Sequence, residues 1–95
     1  MSERIVAMQA EALIGDAAEQ FVKSELGRTL IGMARQEVES AVVDLDSLQD
    51  FTDKAKLNDI QLRIRQGRRF EGWLVELITR GNEALEVLRH ERQTD

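Results

Sequence analysis

The stretch LNDIQLRIRQGRRFEGWLVELITRGNEALEVL, Leu57 to Leu88, decides the fold. Its Leu57, Ile60, Ile64, Gly67, Glu71, Leu74, Ile78, Gly81, Leu85 and Leu88 recur in steps of three and four, the spacing of one face of an α-helix. Only Glu71 breaks the apolar or small character of that stripe. Phe70, Trp73 and Leu77 add a second apolar face at the same level, so the helix needs cover from two directions between Phe70 and Ile78. A helix over 53–88 would be about 50 Å long, against about 35 Å for the one before it. At Gly81-Asn82 the helix either ends with Asn82 as a cap or runs through at about 1 kcal/mol for the glycine. Run-through with a kink is the expectation.

Upstream, Leu26, Leu30, Met33 or Ala34, Val38, Ala41, Leu45 and Leu48 form one apolar stripe over 25–49. The acidic segment DLDSLQDFTDK, Asp44 to Lys54, ends that helix, and Thr52 or Asp53 can cap the next. A first helix over 3–23 carries Ile5, Met8, Ala12 and Leu13, with a break or kink expected at Gly15, where Asp16 and Glu19 resemble a capping box. Ser24 is a further cap candidate, and the tail 89–95 is expected to fray. The chain is thus expected to be one all-α domain, an antiparallel helical hairpin with an additional N-terminal helix, assembling into a helical bundle.

Composition supports helix throughout: 95 residues contain no proline and no cysteine. Without cysteine there is no disulfide, thiolate nucleophile or sulfur-ligated metal, and the N-terminus lacks the unbroken apolar core of a signal peptide. No run is long enough to span a membrane. A soluble, cytoplasmic protein is expected. A chain this short leaves little surface buried in a monomer, which makes oligomerisation a natural remedy.

The net charge of −5 argues against attraction of the whole domain to nucleic acid. Charge is unevenly spread, with eleven acids and four bases over 1–53 and seven acids and nine bases over 54–95. Folding the hairpin about the Asp50–Asp53 turn brings Arg63 and Arg65 near Glu37 and Glu39, and Arg68 near Arg35. Four arginines within seven residues, Arg63, Arg65, Arg68 and Arg69, therefore read first as one side of a charge-complementary hairpin. Arg68 and Arg69 have no obvious acidic neighbour, and with Phe70, Trp73 and Leu77 they are the candidate protein-contact set. Trp73 at this spacing reads first as core; left uncovered within the monomer, it becomes the best interface anchor.

No residue set spells out a reaction. His90 and Glu86 make a two-ligand pair at most, and the residue three before His90 is Val87 where a helical di-iron site needs glutamate. The serines fit caps or solvated positions, and the glycines follow no strand and make no phosphate loop; close helix approach is their expected use. The sequence therefore predicts no enzyme, no cofactor and no metal.

Phe21, the segment SELGRTL (Ser24 to Leu30), and then IQLRIRQGRRFEGWLVELITRGNEALEVL resemble a group of small proteins encoded by tailed bacteriophages and prophages. The resemblance covers about residues 21–88 and rests on Ser24 and Gly27, then Phe70, Trp73, Leu74, Glu76, Ile78, Gly81 and Ala84. It implies a phage-encoded helical hairpin and brings no catalytic or binding residue with it. The expected function is a structural, assembly or interaction role, through self-association and docking onto other phage or host proteins, in the host cytoplasm or on the virion. The alternative is an acidic phage protein that binds and inhibits a host protein, with its 37–53 face filling a site meant for nucleic acid.

Overall fold

The computed structural model describes residues 2–94 and, over them, consists of three helices with no strand. They are α1 (Glu3–Lys23), α2 (Glu25–Asp46) and α3 (Lys54–Thr94). The chain forms two compact units that share α3. One comprises 25–72, the other 1–24 with 73–95.

In the unit over 25–72, α2 and the first half of α3 make the expected antiparallel hairpin. Gly67 is the point of close approach: a Cβ there would lie 2.5 Å from Val38 Cγ2 and 3.1 Å from the Ala34 carbonyl oxygen. The turn is built by side chains that compete with helix for backbone donors. Asp50 Oδ1 accepts from the Thr52 amide at 2.9 Å and from its hydroxyl, while Asp53 Oδ1 accepts from the Lys56 amide at 3.2 Å and caps α3. α2 stops at Asp46, three residues earlier than expected, with Leu48 donating to the Leu45 carbonyl in a tighter turn.

In the unit formed by 1–24 and 73–95, α1 runs antiparallel to the second half of α3, with Arg4 paired to Glu91 at 3.2 Å and Gly15 against Gly81. Ser2 starts α1, its hydroxyl oxygen accepting from the Ile5 amide at 3.2 Å. The expected break at Gly15 is absent, and Asp16 lies mid-helix as an exposed residue. The glycine serves contact instead, since a Cβ on it would stand 2.6 Å from Gly81 Cα and 2.9 Å from the Leu77 carbonyl oxygen. Gly81 lies inside continuous helix, so Asn82 caps nothing. The tail expected to fray stays helical to Thr94, where Leu88 and Glu91 lie beside Ile5.

Ser24 ends α1 in an extended conformation, φ −72° and ψ 158°, its amide donating to the Gln20 and Phe21 carbonyls and its hydroxyl to Phe21 at 2.6 Å. Among the described residues no helix is long and apolar enough to cross a membrane.

Candidate interaction surface

The arginine-rich segment divides into residues with and without carboxylate partners. Arg63, half-buried, reaches Asp44 at 2.6 Å and Glu37 at 3.2 Å, with the Ser40 hydroxyl at 3.4 Å. Arg35 holds Glu71 in a two-bond fork, at 2.6 and 2.9 Å. The one residue that broke the apolar stripe is therefore an ion-pair partner for α2. That fork holds the Glu71 carboxyl below its ordinary range, mainly by the hydrogen bond from Arg35, with burial opposing it and the guanidinium charge adding a smaller lowering. Hydrogen bonds that Arg63 donates to Asp44 and Glu37 raise its guanidinium above the ordinary value. Forked arginine–carboxylate geometry fixes register well, although exposed pairs of this kind contribute only about 0–1 kcal/mol each.

Arg65, Arg68 and Arg69 are exposed and, among the described residues, form no ion pair. Arg68 shares a shallow surface depression with Arg35, Val38, Gly67 and Glu71. The expected juxtaposition of Arg68 and Arg35 is present, but Glu71 pairs with Arg35, and the Glu39 carboxylate lines the same depression as Arg68.

The apolar members of the expected contact set part company. Phe70 and Leu77 are half-buried, and the Leu77 carbonyl lies at the Gly15 crossing. Trp73 is 57 % exposed, so it is not core. In both units few apolar side chains are fully buried, many are half-buried, and several large ones are exposed. The unit of 25–72 buries Ala41 and Ile60 and exposes Leu26, Met33, Val43, Phe51 and Leu62; the other buries Ala12, Ala18 and Ala84 and exposes Val6, Leu13, Ile14, Trp73, Val75 and Leu85. Exposed apolar surface on α1 was missed from sequence, because scoring Ile5, Met8, Ala12 and Leu13 as one face hid a second one. Its signal was legible in the placement of the α1 charges.

His90 is exposed, and among the described residues no group of three histidine or acidic side chains converges as a metal site would require. Chain topology and these surfaces define a class, an all-α protein with large apolar side chains exposed on its helices. No protein-family model matches the chain, and neither does any curated protein or solved structure.

Proposed function

We propose that this chain is a non-enzymatic structural or assembly protein of the phage type that works by associating with itself and docking onto other proteins. The observation that carries this reading is the amount of large apolar side chain left in solvent. Among the described residues five apolar residues are buried, four of them alanine, while eleven large apolar side chains are 38–73 % exposed. Half-exposed side chains of this size leave on the order of 10 kcal/mol of burial unrealised between them, comparable with the whole stability of a small domain, about 5–15 kcal/mol. Scattered apolar residues on a surface need no explanation, but this many large ones on so short a chain do.

Trp73 supplies the most favourable single anchor for association, and Arg68 with Arg69 supplies a cationic docking point on the hairpin. With Arg35 held by Glu71 and Arg63 by Asp44 and Glu37, the exposed Arg68 and Arg69 are the cations of the segment offered to an acidic partner. In this reading Trp73→Ala leaves helicity and melting unchanged within about 0.5 kcal/mol, as exposed substitutions do, while lowering the assembled fraction in sedimentation at micromolar concentration. A chain whose assembly ignores Trp73→Ala uses another surface. Mass spectrometry of purified virions tests the phage assignment: the chain present at stoichiometric level supports a structural part, and its absence from particles refutes that role.

A further inference from the structure

Helix α1 presents a second apolar face, opposite the one that carries Ala12, Gly15 and Ala18. Val6, Ala10, Leu13 and Ala17 follow in steps of four, three and four, and all four are exposed, Leu13 at 73 % and Val6 at 52 %. Ile14, 50 % exposed, flanks them. A solvent-facing helix surface ordinarily carries the charges, and here it does not. After Glu3, the charged residues of α1 are Arg4, Glu11, Asp16, Glu19 and Lys23, and at about 100° per residue each of them falls outside the stripe.

We propose that this face is a homotypic docking surface, on which α1 of a second copy of the chain packs antiparallel about a two-fold axis. This rests on the self-association reading and adds to the Trp73 anchor a second contact of its own on α1. Two features select a second copy in that orientation. The stripe alternates bulky and small, and an antiparallel two-fold sets Val6 over Ala17 and Leu13 over Ala10, twice over, so that each bulky side chain meets an alanine. A parallel in-register pair would instead stack Leu13 on Leu13 and Ala10 on Ala10, overfilling one layer and emptying the next. The stripe itself offers no charge with which to recognise a differently charged protein. Beside it, Leu13 lines a groove with Leu85 and Leu88 of α3, which extends the apolar area on one flank.

The chain has no cysteine, so introduced thiols report this contact alone. Val6→Cys with Ala17→Cys in one chain is expected to oxidise to a covalent dimer, while either substitution alone stays monomeric on a non-reducing gel. Within one chain the two positions are about 16 Å apart along the helix, too far for an internal disulfide. In parallel, Leu13→Glu and, separately, Ala10→Glu are expected to weaken self-association at least tenfold in sedimentation with helicity retained. A wild-type chain that is monomeric throughout refutes self-association altogether. Wild-type assembly that survives both glutamates refutes only the α1 assignment. A covalent dimer from Val6→Cys alone, or none from the double variant, overturns the antiparallel pairing.

Discussion

Gly15 and Gly81 meet backbone to backbone, and a methyl group at either would fall within 2.7 Å of the other's Cα. Alanine normally improves a helix by up to about 1 kcal/mol over glycine. At these two positions the clash is with main chain that no rotamer change can relieve, so Gly15→Ala and Gly81→Ala are each expected to destabilise by about 1–3 kcal/mol. Gly32 and Gly72 have open space around the corresponding site. Their alanine variants are expected to gain up to about 1 kcal/mol, or about 4–8 °C in Tm for a chain of this size. Thermal melts of the four variants check both signs; four equal shifts would mean that the crossing is not tight. The sequence suggested close approach for helical glycines in general. It did not distinguish Gly67 and Gly81, which make contacts, from Gly32 and Gly72, which do not, because the distinction depends on which face meets the opposing helix. Gly15 was misread as a break for the same reason.

Among the elements, the hairpin of α2 with the first half of α3 owes its register to ion pairs that respond to acid. Glu71 is depressed below its ordinary range by Arg35, and Asp50 by its hydrogen bonds from the Thr52 hydroxyl and amide. For a carboxyl with a lower pKa folded than unfolded, the stabilising contribution is complete above the unfolded value, about 4.3 for glutamate, and is lost as pH falls through the folded value. The hairpin is therefore expected to be fully stable at neutral pH and to weaken below about pH 4. In Glu71→Gln the difference in urea midpoint between pH 7 and pH 3 should shrink, with the Asp50 contribution remaining; an unchanged difference would remove Glu71 as a contributor. The hairpin and its register were legible because complementary charge and the three-four stripes point the same way. The end of α2 was less so, since Asp46 to Asp50 offer several side chains that compete for the same amides. The helical tail went unforeseen because its cover, the start of α1 through Arg4 and Ile5, lies at the far end of the sequence.

For the molecule as a whole, the deciding quantity is how little is buried. Among the described residues, no large side chain is shielded from solvent to below 2 % exposure. The sequence indicated shortage of cover around Phe70–Ile78, yet the exposed surface is wider, taking in Trp73 and Val75 on α3, Val6, Leu13 and Ile14 on α1, and Leu26, Met33 and Val43 on α2. Periodicity alone assigns faces to a helix but not the number of neighbours available to cover them, which is why Trp73 reads first as core although the structure places it outside. Self-association is the claim on which the functional reading depends, and sedimentation equilibrium of the intact wild-type chain tests it most directly. The account predicts a mass at least twice the 10.8 kDa of one chain at micromolar concentration, falling towards it on dilution; a single species of 10.8 kDa across the whole concentration range would contradict it.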